Sequence, residues 1–276
     1  MSARREPAAG PARRAGLLRV AVIGATGRMG RALVRAALER TDVVIAAALT
    51  HPGSAHLGHD AGELAGAGAL GIPVASDPAL LARCDVALDF SHSPAAAANL
   101  AACCAAGLPL LIGTTGLPAG FAADIERAAR HIPLLVAANT SLGVTLLVEL
   151  VRQAAQALAR FDAEILEAHH RGKKDAPSGT ALALGRAVAQ ARGQVLEEVM
   201  AVERAGVRRE GDIGFGVVRG GDIVGEHTVI FAGTGEQLAL SHRATDRQVF
   251  ARGALQAVTW LADKPPGHYA MRDIIL

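Results

Sequence analysis

The passage from Leu18 to Gly30 constrains this chain more than any other. A buried-strand pattern rich in β-branched residues, Leu18–Ile23, runs into Gly24-Ala25-Thr26-Gly27-Arg28-Met29-Gly30. A helical pattern follows over Arg28–Arg40, with Met29, Leu33, Ala36 and Ala37 on one side, and a second strand pattern at Val43–Leu49. Strand, glycine turn, helix, strand is a βαβ unit, which commits the chain to a parallel sheet. Glycines at 24, 27 and 30 allow a tight turn and let a pyrophosphate reach the backbone N–H groups at the helix start. Gly24, Ala25, Thr26, Gly27, Arg28 and Met29 are therefore candidate dinucleotide-binding residues.

A dinucleotide site of this kind usually carries an acidic residue about 20 positions on, on the ribose hydroxyls. Counting from Gly30 reaches Thr50 and His51, and neither is acidic. Nothing there repels a 2′-phosphate and no arginine attracts one, so these residues leave NADH and NADPH both open.

The alternation continues. Val86–Phe90 reads as a strand, 94–106 as a helix closed by Gly107, and Leu110–Ile112 as a strand. A helix over 119–130 and a strand at 134–137 follow. This is the pattern of a Rossmann-like, doubly wound α/β fold. Ligands of such sheets sit at the carboxyl ends of the strands, which nominates Gly113, Thr114 and Thr115, and Ala137, Ala138, Asn139 and Thr140.

The character changes after about residue 142. A long apolar helix over 143–159 leaves the sheet, and a strand over 164–170 enters a histidine-rich loop. A helix over 180–191 precedes strands at 213–218, 223–231 and 237–242, whose short glycine links predict antiparallel pairing, and a helix over 249–261 closes the segment. The expected organisation is an extension over 1–17, a dinucleotide-binding domain over 18–141 and 247–276, and an α+β domain over 142–246. The second domain is expected to carry a mixed, largely antiparallel open sheet.

Charge narrows the partners. The net charge of +2 is uneven, because residues 1–19 hold five arginines against Glu6, so the remainder sums to −2. A mildly acidic body argues against nucleic acid. The first 16 residues, rich in Ala, Arg, Pro and Gly, have no apolar core for a secretory signal and read as a disordered extension. No run has the length and apolarity of a membrane span. Cys84, Cys103 and Cys104 form no Cys-x-x-Cys pair and read as buried free thiols of a cytoplasmic protein.

The chemistry concentrates in Glu167-Ala168-His169-His170-Arg171-Gly172-Lys173-Lys174-Asp175-Ala176-Pro177-Ser178-Gly179-Thr180. Histidine can donate a proton near neutral pH, and Lys173 can hold a carboxylate or donate a proton itself. Ser178 is a natural N-cap, which places Gly179 and Thr180 in a first turn whose N–H groups face an anion. Alternation along a strand sends His169 and His170 to opposite sides, so one faces a cleft and the other supports it. Adjacent histidines make a poor metal pair, and no further ligands complete a site, so no metal is expected.

Glu-Ala-His-His-Arg-x-Lys-x-Asp-Ala-Pro-Ser-Gly-Thr-Ala at Glu167–Ala181 resembles the signature of the dihydrodipicolinate reductase family. The likeness extends to Asp-Ala-Gly-Glu-Leu at 60–64, Ile-Gly-Thr-Thr-Gly at 112–116, Gly-Asp-Ile-Val-Gly-Glu-His-Thr at 221–228 and Met-Arg-Asp at 271–273. The resemblance implies NADPH- or NADH-dependent reduction of 4-hydroxy-tetrahydrodipicolinate in lysine and diaminopimelate biosynthesis. It implies His169 as proton donor, Lys173 as its catalytic partner, and His170, Gly179 and Thr180 on a small dicarboxylate substrate. It also implies a homotetramer assembled through the sheets of the second domain. Thr50 and His51, Gly172 and Thr140 depart from residues common at those positions in the family. Two other classes stay open: a two-domain dehydrogenase of another amino or aldehyde acid, and a non-catalytic nicotinamide-nucleotide-binding protein.

Overall fold

The computed structural model describes residues 16–203 and 205–276. The expected disordered extension lies almost wholly outside them. The chain divides into two units, one through Thr140 and again over Phe250–Ile274 with Leu276, the other over Ser141–Val249 with Ile275.

The first unit begins with β1 (Leu18–Ile23), α1 (Arg28–Leu38), β2 (Val43–Leu49), α2 (Ala61–Ala65) and β3 (Val74–Ala75). It continues with β4 (Val86–Asp89), α3 (Ala96–Ala105), β5 (Leu110–Ile112), α4 (Phe121–Ala128) and β6 (Pro133–Val136). Helix α1 stops two residues short of the expected Arg40, at a C-cap on Glu39. Asp60 caps α2 by accepting from the Gly62 and Glu63 amides, and its carboxylate also binds the Leu70 and Ile72 amides. The Asp-Ala-Gly-Glu-Leu motif is thus a structural knot.

The second unit holds α5 (Leu142–Ala157), β7 (Asp162–His169), α6 (Gly179–Ala191), α7 (Leu196–Val199), β8 (Met200–Ala201), β9 (Ile213–Arg219), β10 (Gly225–Gly233) and β11 (Glu236–Ala244). Helix α8 (Gln248–Leu261) and β12 (Gly267–Tyr269) follow, and β12 pairs in parallel with β6. The first sheet has the order β12-β6-β5-β4-β1-β2-β3, and every pairing in it is parallel. With β12 set aside this is the Rossmann order. Its strands are apolar on both faces, as Val20, Ala21, Val22, Val86, Ala87 and Leu88 are all buried, because helices cover both sides.

The second sheet has the order β11-β10-β7-β9-β8. The expected antiparallel pairing holds for β10 with β11; β10 is also antiparallel to β7, whereas β7 with β9 and β9 with β8 are parallel. Strands β9 and β10 do not form the hairpin that their short link predicts. Strand β7 lies between them, because its alternating apolar face supplies a partner on both edges that a two-stranded hairpin would leave open.

Along β7 the residues Ala163, Ile165, Glu167 and His169 are buried, and Leu166 between them is exposed. The buried face meets α5 and α6 through Leu147, Val151, Leu184 and Val188. At the Asp162 end this face is apolar, built from Ala163, Ile165, Phe215, Val229 and Phe231. At the His169 end it turns polar, with Glu167, His169 and His227. The cysteines are free; Cys84 and Cys103 are buried, whereas Cys104 is only half-buried. Burial pushes the Cys84 thiol up to about 11.

Candidate functional site

In the first unit the glycine turn has the geometry its spacing predicts. Gly24 has φ +82°, and a β-carbon there would stand 2.7 Å from the Phe90 carbonyl oxygen. A β-carbon at Gly30 would overlap the Gly24 carbonyl, so that glycine lets α1 close onto the turn. Gly27 is the N-cap of α1 and has no side chain to cap the first-turn amides. Those amides stand where a phosphate would take their bonds, so the cradle fits a dinucleotide. Thr26 Oγ1 lies 3.1 Å from Thr50 Oγ1, tying the turn to the end of β2. His51 is exposed beyond it.

The later loops line up at the same edge of the sheet. The Gly113 backbone packs under the Phe90 ring with no room for a β-carbon. Thr114 is buried, and its hydroxyl donates to the Asp89 carbonyl oxygen at 3.3 Å. Thr140 is buried and donates to the Phe250 carbonyl at 2.6 Å. The Ala137 amide donates to Ile112 O, continuing the β5–β6 ladder into the loop, where Ala138 is exposed and Asn139 half-buried. Thr115 is exposed after β5. Candidates drawn from β1, β2, β5 and β6 therefore share one sheet edge. Phe90, at the end of β4, stands among them. Its strand is legible in the sequence, but an apolar residue at a strand end gives no signal of a site.

In the second unit the chemistry is organised by one carboxylate. The Glu167 side chain has no solvent exposure. Arg219 donates to both its oxygens, at 2.7 and 2.8 Å. The Ser178 amide donates to Oε1 at 2.8 Å, and His169 Nδ1 lies 2.6 Å from Oε2. Burial alone would push the Glu167 carboxyl up, but the bonds from Arg219, His169 and Ser178 together hold it below the usual carboxylate range. An ionised carboxylate only accepts, so His169 Nδ1 carries the hydrogen of that bond. Burial lowers the His169 pKa, opposed by Glu167.

Ser178 caps α6, its hydroxyl accepting from the Ala181 amide at 3.2 Å. Gly179 and Thr180 open the helix as expected. Ser178 Oγ also lies 3.1 Å from Nε2 of the buried His227, whose ring meets that of His169 edge-on at 5.1 Å. Burial depresses the His227 pKa to about 4. Lys173 forms an ion pair with Asp175 at 2.8 Å. His170 follows the last residue of β7 and is half-buried, so the two histidines do have different surroundings.

The comparisons with known proteins agree with this architecture. A family model described as "Dihydrodipicolinate reductase, N-terminus" matches residues 18–140, and its C-terminal counterpart matches residues 143–275. The chain belongs to the dihydrodipicolinate reductase family. It is similar to 4-hydroxy-tetrahydrodipicolinate reductase from Halorhodospira halophila, 49% identical over 94% of this chain and 98% of that one. It is 48% identical to the protein of that name from Rubrobacter xylanophilus, with the same coverage. Among solved structures it resembles a dipicolinate-bound dihydrodipicolinate reductase from Paenisporosarcina sp. TG-14, with a TM-score of 0.74, 22% identity, and 94% and 100% of the two chains covered. A probable dehydrogenase from Thermotoga maritima follows at 0.59, 12% identity, with 93% and 92% covered. At these identities the structural likeness speaks for the fold.

Within the family's signature, sequence reasoning singled out the histidines, Lys173 and the α6 start but assigned nothing to Glu167. Its position two residues before His169 on a strand places both on one face, so that signal was available. Arg219, Gly225 and His227 come from distant strands. Nothing local in their sequence marks them as neighbours of His169.

Proposed function

We propose that this chain is an oxidoreductase that converts 4-hydroxy-tetrahydrodipicolinate to tetrahydrodipicolinate in lysine and diaminopimelate biosynthesis. The relatives at 48–49% identity carry that name, and the Paenisporosarcina protein is described with dipicolinate bound. The observation that carries the reading is the buried His169, held through Nδ1 by an ionised Glu167 beside the start of α6. One ring nitrogen is fixed, and the other is left to exchange a proton with substrate.

In this reading the glycine turn of α1, Gly113–Thr115 and Ala137–Thr140 hold a nicotinamide cofactor, which when bound supplies a hydride. Water is lost from the hydroxylated ring carbon, and His169 gives the proton that completes the reduction. The α6 amides at Gly179 and Thr180 and the His170 ring hold the carboxylates of the small dicarboxylate. Lys173 exchanges Asp175 for one of them. With no carboxylate to repel a 2′-phosphate at Thr50 and His51 and no arginine to attract one, the cofactor is NADPH or NADH. The exposed apolar side chains Leu166 and Val218, on the face of the second sheet opposite Ile165, support a homotetramer built through that sheet. The free thiols support a cytoplasmic location. Among the described residues no helix is long and apolar enough to cross a membrane.

The test is to follow NADPH and NADH absorbance with enzymatically generated substrate. Substrate-dependent oxidation is the expected result. No turnover with either cofactor defeats the reading.

A further inference from the structure

We propose that Glu167, clamped by Arg219, is the positioning residue of this site. One of its oxygens sets the His169 ring, and the other ties down the backbone that begins α6. The inference rests on the proton-donor reading of His169. It goes further by assigning one carboxylate the joint placement of the proton donor and the anion-binding helix start.

The geometry points to this residue because Glu167 serves nothing else. Its side chain is fully buried and accepts four hydrogen bonds, two from Arg219, one from His169 Nδ1 and one from the Ser178 amide. Arg219 also donates to the Asp175 carbonyl at 2.6 Å, so the clamp reaches the loop carrying Lys173. A buried carboxylate with one cation and good geometry is no gain over apolar packing in itself, which leaves placement as its use. The bond to Nδ1 selects the ring tautomer and leaves Nε2 as the nitrogen that meets substrate. Nε2 faces the backbone of Gly225, where a β-carbon would stand 3.1 Å away, so the sheet leaves space on that side by using glycine. The Ser178 amide bond holds the N-cap in register with the ring. The proton donor and the helix amides then move as one body rather than as two ends of an eleven-residue span.

A carboxylate at Nδ1 also stabilises the imidazolium, so its loss lowers the pH at which His169 gives up its proton. Glu167→Gln keeps the volume and removes the charge. The expected result is a fall in kcat of about 10- to 100-fold with the cofactor KM unchanged. The alkaline limb of the kcat profile should shift to lower pH by about 1 unit. Long-range proton–nitrogen NMR on the histidine-labelled full chain, assigned with His169→Gln, should show His169 bearing its hydrogen on Nδ1 in the native protein. In Glu167→Gln that single tautomer should be lost. Should Glu167→Gln fail to fold, Arg219→Lys keeps the carboxylate and removes its two-point clamp; it should move kcat and the pH limb in the same direction by less.

A folded variant with kcat within about twofold of native and an unshifted profile overturns the proposal. So does a native His169 protonated on Nε2 alone. The NMR result does not depend on turnover: a native protein inactive on the substrate defeats the proposed reaction, while the tautomer still decides whether Glu167 positions the ring.

Discussion

A β-carbon on Gly225 would lie 3.1 Å from Nε2 of His169. That contact is tight enough to move the ring but leaves the backbone free to accept it, because Gly225 is not among the glycines with positive φ. Gly225→Ala should therefore fold and lose function, with kcat down by about 10-fold and substrate KM raised, as expected when a reacting group is displaced by a few tenths of an ångström. Steady-state kinetics with substrate varied is the measurement. Native values would mean that substrate does not approach Nε2 past Gly225.

His169→Gln removes the proposed proton donor and keeps a polar side chain against Glu167. Kcat should fall by about 100-fold or more, with KM changed far less. An unchanged kcat would take His169 out of the acid role.

Cofactor choice should respond to the end of β2. Thr50 lies against Thr26 of the glycine turn, with the hydroxyls 3.1 Å apart. Thr50→Asp would place a carboxylate where a 2′-phosphate would sit. The KM for NADPH should rise by about 10-fold, a difference of roughly 1.4 kcal/mol, while that for NADH stays the same or falls. Equal effects on both cofactors would place the ribose elsewhere.

The buried His227 gives the fold an acid limit. Its pKa falls from 6.5 to about 4, chiefly through burial. His169, His242 and Lys173 act in the same direction and Glu167 against it. Between those values the unfolded chain binds a proton that the folded chain does not. Stability is therefore whole above 6.5 and declines as pH falls toward 4, by up to about 3 kcal/mol. The lowered Glu167 pKa adds a further loss, which begins as pH falls through 4.5, where the unfolded chain takes up that proton first, and is complete once the folded carboxylate is protonated. Urea unfolding at pH 7.5 and 4.5 should register the difference, and His227→Gln should shrink it. An identical difference in the variant would assign the acid sensitivity to other groups.

Local signals carried the first unit. A strand, a turn that only glycine fits at Gly24, and a helix in immediate succession leave few topologies, so the parallel sheet and its candidate nucleotide edge are legible in the sequence. The same holds for the α6 cap, because Ser178 and the first-turn amides are neighbours in sequence. The pairing of the second sheet was not legible. A short glycine link between β9 and β10 predicts a hairpin, but hydrogen bonding to β7 on both its edges satisfies more backbone and buries the Ile165 face, and that outcome depends on a strand about fifty residues upstream.

By itself, then, the sequence determined the parallel sheet with its glycine turn, the family signature and the candidates for proton donation and anion binding, all of which depend on residues close together in the chain. The tertiary structure decided which partners those groups have. His169 meets Glu167 through strand alternation, and meets Arg219, Gly225 and His227 only because β9 and β10 settle on either side of β7. Tautomer, charge and approach to substrate follow from those distant contacts, since burial and a fixed carboxylate change what an imidazole does, and neither is a property of the local sequence.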